Sequence, residues 1–199
     1  HATYMDDEAL KAVTDRKVPL GPTFTFQANL ADFGTAIGSD ETLREVFRAE
    51  ITESVDTLRT AFDAGVPLLT GSESGFSLTP YGDWHYRELQ VFVEDLGMAP
   101  LQAINSATEQ GARALKLEGE LGCIKPGYLA DILVFDGEPD IAVTQLGEQH
   151  RFRTIMKEGR VIDTYSPLPS GWQLPGWRVS EYSERILTRE LVESMGLTG

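Results

Sequence analysis

The clearest pattern in the chain is a helical period of apolar residues between positions 39 and 65. Apolar side chains recur there every three or four residues, which places them along one side of a helix. Acidic residues crowd the start of the run and Gly65 follows its end, as is typical of helix termini. The pattern therefore predicts one long amphipathic helix with a buried stripe of Leu43, Val46, Phe47, Ile51, Val55, Leu58 and Phe62.

Shorter patterns predict the elements on either side of this helix. Further helices are expected at 6–17, 84–97 and 180–196, and at 99–117 with a break near 106–108. Apolar runs predict short strands at 18–24, 66–71 and 130–135, and 151–163 predicts a hairpin that turns at Glu158 and Gly159. Because a strand, a long helix, a strand and a helix follow one another, the predicted class is α/β with parallel βα units.

The composition of the chain argues against nucleic acid and membranes as binding partners. The 31 acidic and 17 basic residues leave a formal charge of −14, which argues against a surface for nucleic acid or for an anionic membrane. The chain contains no run of about 18 apolar residues, so no membrane span is expected. Its single cysteine, Cys123, excludes an internal disulfide framework and favours a cytoplasmic location.

Five short motifs, in order, resemble the C-terminal third of the metal-dependent hydrolases of the amidohydrolase superfamily, especially their imidazolonepropionase-like and prolidase-like members. The family pattern has a Gly-Thr-Asp-x-Gly turn after the last barrel strand, then a Glu-Leu helix. A helix with Ala-Ile-x-x-Ala-Thr, a Pro-Gly-x-x-Ala-Asp strand and a Gly-x-Val-Ile hairpin follow. The matching pieces are GSESG (71–75), REL (87–89), AINSATEQGA (103–112), GCIKPGYLADILVF (122–135) and EGRVID (158–163).

The resemblance implies only part of a (β/α)8 TIM barrel. HATYMDDEAL (1–10) resembles the end of the sixth barrel strand, with its metal-binding histidine, and PTF (22–24) resembles the end of the seventh. We therefore expect strands 6–8 of the barrel in residues 1–118 and strands of a small composite β-sandwich in 119–165. In 166–199 we expect an arm, with Trp172 and Trp177, and a helix for contact with a partner or within an oligomer.

The family's other metal ligands have no counterpart in the sequence. Its first-strand His-x-His, its fourth-strand lysine or glutamate and its fifth-strand histidine are missing, because the only histidines are His1, His85 and His150. A third of a barrel would also leave open sheet edges. We therefore expect a second polypeptide to carry strands 1–5 and the remaining ligands, which makes a hetero-oligomeric split enzyme.

The resemblance also assigns roles to two side chains. Glu73 stands where the family has the aspartate that touches the metal and moves the proton of the attacking water, and His1 stands at a metal-ligand position. The implied cofactor is zinc or a similar divalent ion, one or two per site. For Glu73 the alternative is a turn carboxylate that caps the following helix or pairs with Arg87. For His1 the alternative is a frayed first residue.

Four further residues follow the Glu73 turn. His85 would bind substrate or orient Glu73, and the alternative is a surface or capping histidine. Phe76, Tyr81 and Trp84 would give the site an aromatic lining that suits a flat organic substrate, although such residues often serve only packing. The predicted function is hydrolysis of a C–N bond (amide, urea or carbamate) or a related C–O bond in a small molecule. The alternative is a non-catalytic structural or regulatory subunit that completes a catalytic partner.

Overall fold

The computed structural model describes residues 1–163 and 185–197. Seven α-helices and one three-stranded sheet form the regular structure of these residues. The helices are α1 (Asp7–Arg16), α2 (Phe24–Phe33), α3 (Glu41–Asp63), α4 (Tyr86–Glu94), α5 (Pro100–Ala107), α6 (Glu109–Ala114) and α7 (Arg189–Ser194). The strands are β1 (Ile132–Phe135), β2 (Phe152–Lys157) and β3 (Arg160–Val161), and short 3-10 turns cover Gly34–Ile37, Val143–Gly147 and Gln149–Arg151. No helix among the described residues is long and apolar enough to cross a membrane.

Helix α3 confirms the strongest periodic pattern. Asp40 caps its start, because the side chain accepts a hydrogen bond from the Leu43 amide at 2.8 Å. Leu58 is fully buried, whereas Val46, at the first end of the predicted stripe, is 48% exposed. The other five members of the stripe are partly buried, so the stripe faces the protein but is covered incompletely.

Helix α2 lies at the centre of the core and was not predicted. Nine of its residues are buried, including the polar Thr25, Gln27 and Asn29. One apolar cluster includes Phe24 at the start of the helix, and a second includes Leu30 and Phe33 farther along. A helix buried on all sides has no polar face, so it lacks the periodic pattern by which helices are recognised.

The predicted strands 18–24 and 66–71 are reduced to one bridged pair, Leu20 and Leu68, whose pairing is parallel as expected. Two backbone hydrogen bonds join the segments, from Leu20 to the Pro67 carbonyl at 3.0 Å and from Leu69 to the Leu20 carbonyl at 2.8 Å. Among the described residues neither segment has a second neighbour, and Phe24 already begins α2. The strand predicted over 18–24 is therefore wrong in length, while the two segments do lie side by side.

The sheet confirms the predicted hairpin. Strands β1 and β2 pair antiparallel, with Ile132 opposite Met156, and β2 pairs with β3 across the turn at Glu158 and Gly159. Both turn residues have positive φ, at 52° and 76°, as a tight hairpin turn requires. Apolar side chains of the sheet nevertheless face outward, with Leu133 57% and Val161 68% exposed.

The last helix begins later than the predicted residue 180. Residues 185–188 are not helical, and α7 starts after Thr188, whose hydroxyl accepts from the Leu191 amide at 3.1 Å. Leu187 instead donates its amide to the Ser77 carbonyl at 2.7 Å, which ties this segment to the loop after Glu73. Residues 180–184 and the arm with Trp172 and Trp177 lie outside the described residues. The predicted domain boundaries stay predictions.

Candidate functional site

Glu73 lies in a closed turn directly after the bridged segment that contains Leu68. Its carbonyl accepts a hydrogen bond from the Thr79 hydroxyl at 2.7 Å, and the Gly75 amide donates to the Thr79 carbonyl at 2.9 Å. These bonds fold the loop after the turn back on itself. The Glu73 side chain remains 30% exposed, so its carboxylate is fixed at its base and accessible at its tip.

The structure brings the two predicted metal ligands together. Nε2 of His1 lies 3.2 Å from Oε1 of Glu73, and Nδ1 of the same ring is hydrogen-bonded to the hydroxyl of Thr23. Thr23 follows the Leu20 segment and Glu73 follows the Leu68 segment. Because these two segments are bridged, Thr23 and Glu73 both lie close to His1. Whether either side chain binds a metal ion stays a prediction.

The backbone around this pair is strained. Ala2, Thr23 and Glu73 have φ values of 56°, 61° and 49°, in the left-handed region that residues other than glycine rarely adopt. Thr23 also packs so closely on Gly71 that a Cβ there would lie 2.7 Å from Thr23 Cγ2. Strained residues of this kind cluster at functional sites, where the surrounding structure fixes them.

This close approach predicts the effect of Gly71→Ala. Gly71 has no left-handed backbone, and the atom nearest to an added methyl is Cγ2 of Thr23. We expect a loss of about 1–3 kcal/mol in the free energy of unfolding, as for other overpacked positions. Urea denaturation measures it. Adding Thr23→Ser, which deletes Cγ2 and keeps the hydroxyl, should recover most of the loss, with Thr23→Ser alone as the control. A double variant no more stable than Gly71→Ala would contradict this contact.

Neither alternative role for Glu73 agrees with the structure. Arg87 is 3% exposed and is already paired with Asp32, and it also donates to Gln90 Oε1 at 2.8 Å. Helix α4 has no side-chain cap at its start. The carboxylate of Glu73 is therefore neither the partner of Arg87 nor the cap of the next helix.

His85 is hydrogen-bonded to Ser72, the residue before Glu73, and not to Glu73 itself. Its Nε2 accepts from the Gly82 amide at 3.3 Å, so Nε2 carries no proton. Nδ1 then carries the proton and donates to the Ser72 hydroxyl at 3.1 Å, and Ser72 is hydrogen-bonded to Ser74 at 2.7 Å. Burial lowers the pKa of His85, which favours this neutral form. The arrangement supports the turn that carries Glu73.

The three predicted aromatic residues lie in different surroundings. Phe76 is 50% exposed and packs edge-on against Phe26 at 5.8 Å between ring centroids, and Tyr81 places its hydroxyl over Gly75. Trp84 is 2% exposed, and its indole N–H donates to the Leu187 carbonyl at 2.8 Å. Trp84 is thus a core residue that holds the loop. The prediction that it lines the substrate site is wrong, because its side chain is buried.

A cleft of about 530 Å³ opens beside His1 and Glu73. Its lining includes five residues that the sequence did not predict to be part of the site, namely Tyr4, Phe26, Gln27, Phe47 and Glu50. Glu50 lies on α3 next to the apolar stripe, where helical periodicity alone assigns a carboxylate to solvent. Gln27 lies on the unpredicted α2, and a polar residue inside an apolar run was its only signal.

Comparison with a protein-family model shows the family of the chain. The model of the amidohydrolase family matches residues 45–166, which is more than half of the chain. The chain belongs to the amidohydrolase family.

Individual relatives place it within this family. The chain is 39% identical over 69 residues to an imidazolonepropionase of Rubrobacter xylanophilus, a match that covers 34% of this chain and 16% of that protein. It is 29% identical over 147 residues to an adenine deaminase of Halalkalibacterium halodurans, covering 66% and 23%. A crystal structure of a Xaa-Pro dipeptidase with bound methionine matches with a TM-score of 0.64 and 27% identity, covering 81% of this chain and 38% of that one. The chain therefore spans less than half the length of each relative.

The fit of the site to a divalent ion is partial. Imidazole nitrogen and carboxylate oxygen are ligands that zinc accepts, and His1 and Glu73 present one of each at the same point. Residues 1–163 and 185–197 contain no group of three or more His, Cys, Asp or Glu side chains that could hold a metal ion. Two protein ligands are fewer than the three of a catalytic zinc site.

Behind the site, Glu88 of the amidohydrolase Glu-Leu motif is buried against the start of α2. It is 1% exposed, and its Oε2 accepts from the Thr25 amide at 2.8 Å and from the Thr25 hydroxyl at 2.9 Å. Its other oxygen, Oε1, has no hydrogen-bond partner in the described part of the chain. Burial raises the pKa of Glu88 to about 7, although the amides at the helix start oppose the rise. This residue anchors the helix that follows Thr23.

Proposed function

We propose that these residues form the C-terminal part of a metal-dependent hydrolase, with barrel strands 6–8 and part of a β-sandwich. The observation that carries the proposal is the 3.2 Å approach of His1 Nε2 and Glu73 Oε1 at the ends of parallel-bridged segments. In TIM barrels, catalytic groups lie where strands end at the C-terminal face. The strained turns of Thr23 and Glu73 support the same location.

In this proposal His1 and Glu73 hold a divalent ion, zinc or a similar metal. Such an ion lowers the pKa of bound water toward neutrality and polarises the bond to be cleaved. Glu73, whose side chain is 30% exposed, would take the proton of the attacking water and pass it to the leaving group. His85 keeps Ser72 and Ser74 in place and so fixes the position of Glu73.

The bond cleaved is proposed to be a C–N bond in a small molecule. The relatives are named as an adenine deaminase and a Xaa-Pro dipeptidase, and deamination and dipeptide hydrolysis both break C–N bonds. The exposed aromatic ring of Phe76 beside the cleft supports a small organic substrate. We keep the cytoplasmic location as a prediction from the single cysteine.

We further propose that polypeptide outside these 199 residues supplies strands 1–5 and the remaining metal ligands. The described residues bring together only two ligand side chains, which supports this. The outward apolar side chains of Leu133 and Val161 also support a covering element on the sheet. A second polypeptide or a longer form of this chain would meet the requirement.

Purification of the tagged chain from its own host tests the function. We expect a co-purifying or covalently continuous polypeptide, at least one divalent ion per assembly, and C–N hydrolysis that a chelator removes and zinc restores. A stable, compact, metal-free monomer of the 199 residues, found by sedimentation and calorimetry, would overturn the proposal. A metal-containing assembly that keeps full activity without the Glu73 carboxylate would favour a non-catalytic subunit instead.

A further inference from the structure

Five residues that line the cleft are separate from the proposed metal ligands. Tyr4, Phe26, Gln27, Phe47 and Glu50 come from the segment before α1 and from helices α2 and α3, and we refer to them as the Glu50 pocket. They share the cleft with His1 and Glu73. A molecule whose reacting bond lies at Glu73 could therefore extend into the Glu50 pocket.

The carboxylate of Glu50 is oriented by neutral donors. Tyr4 donates its hydroxyl to Oε1 at 3.2 Å, and Gln27 donates Nε2 to Oε2 at 3.0 Å. Neither donor neutralises the charge, and no lysine or arginine is among the residues that line the cleft. A carboxylate accepts about four hydrogen bonds, so Glu50 keeps capacity for a charged donor.

Aromatic rings border this carboxylate. The rings of Phe26 and Phe47 are 5.9 Å apart at an angle of 63°, and Phe76 packs on Phe26 at 5.8 Å and 76°. The face of an aromatic ring carries negative potential that attracts a cation within about 6 Å. The rings also offer apolar surface to a hydrocarbon body.

One buried acceptor in the pocket lacks a donor. Gln27 is 8% exposed, and its Oε1 has no hydrogen-bond partner within the described residues. A buried acceptor without a partner is costly, so it indicates a missing donor. This oxygen has almost no accessible surface, so a ligand in the cleft would reach it only after Gln27 or its neighbours shift.

We propose that the Glu50 pocket binds an organic ammonium group, a protonated amine on an apolar body, and so holds the cationic end of the substrate. The negative carboxylate favours a cation with N–H donors, and the aromatic lining favours an apolar body attached to it. An anion placed beside Glu50 would be repelled by its carboxylate. The pocket's role as a substrate anchor rests on the proposed hydrolase function, whereas the binding does not.

Direct binding to the purified assembly tests the pocket. The probes are benzylammonium, neutral benzyl alcohol of similar shape, and anionic phenylacetate, each measured by titration calorimetry. We expect benzylammonium to bind at least about tenfold more tightly than the other two, and its affinity to fall as salt is added. Equal binding of the cation and the alcohol, or binding insensitive to salt, would overturn the proposal.

A matched pair of variants locates the binding. Glu50→Gln should weaken benzylammonium by about tenfold and leave benzyl alcohol unchanged, because it removes the charge and keeps the shape. Glu45→Gln, on the exposed side of the same helix, makes the same change of charge and should alter neither. An unchanged cation affinity in Glu50→Gln would contradict the assignment. If Glu50→Gln fails to fold, the affinities of the three probes for the wild type and their salt dependence still test whether the pocket binds a cation.

The same experiments separate this inference from the proposed function. Salt-sensitive binding of benzylammonium in a protein without metal or hydrolysis would uphold the pocket and reject the hydrolase. Chelator-sensitive hydrolysis that does not distinguish cationic from neutral substrates would uphold the hydrolase and reject the pocket as the anchor of its substrate.

Discussion

In the proposed hydrolase assembly, Glu73→Gln is expected to lower kcat by at least about a hundredfold, the low end for loss of a general base. Glutamine keeps the length and shape of the side chain and cannot accept a proton from the attacking water. The change leaves the hydrogen bond from Thr79 to the backbone carbonyl of residue 73 intact, so the turn should persist. Steady-state kinetics together with metal analysis of the same sample measures the effect.

Glu73→Asp is the matched comparison. It keeps the carboxylate but draws it back by about 1–1.5 Å, the length of one methylene. Since the family pattern has aspartate at this position, we expect the aspartate variant to be more active than the glutamine variant. Wild-type kcat in Glu73→Gln, with metal content unchanged, would contradict a role of this carboxylate in proton transfer.

Glu88→Gln is expected to remove a large pH dependence of stability. The folded-state pKa of Glu88 is raised from 4.5 to about 7, so between these values the folded protein binds more protons than the unfolded chain. The free energy of unfolding should therefore fall as pH rises through this window, by about 3 kcal/mol for this group. Glutamine resembles the neutral acid and does not titrate.

Urea denaturation from pH 4.5 to 8 compares the two proteins. The difference between wild type and Glu88→Gln should grow with pH, in favour of the variant, and level off above about pH 7. Glu45→Gln, an exposed acid on α3, serves as the control and should follow the wild type. Parallel curves for wild type and Glu88→Gln would show that the buried carboxylate titrates normally.

Periodicity and turn chemistry predicted the elements whose signals are local. The long helix α3, the break of α5 from α6 at Thr108, and the hairpin at Glu158 and Gly159 all depend on residues close in sequence. Helix α2 depends on burial from every side, which a single sequence does not display. The late start of α7 depends on the bond between Leu187 and Ser77, a contact that no local pattern reveals.

Some residues of the candidate site could likewise be predicted from the sequence, and others could not. Glu73 could be located because a glycine-flanked turn follows an apolar run, and family resemblance supplied His1. The carboxylate of Glu50 could not be found, because a helix shows only which side a residue is on, and the neighbouring Tyr4 and Gln27 come from separate segments. Trp84 was predicted to line the site together with Phe76 and Tyr81, although aromatic residues at this spacing more often serve packing, and packing is its role in the structure.

The hydrogen bond from the Trp84 indole to the Leu187 carbonyl also affects the order in which parts of the chain can fold during synthesis. The two residues are 103 positions apart, so the loop after Glu73 leaves the ribosome long before its anchor has been made. Closing so long a loop carries an entropic cost that local turns do not have. The turn of Glu73 can form early from its own bonds to Thr79, but the loop behind it can be fixed only after synthesis has passed Leu187.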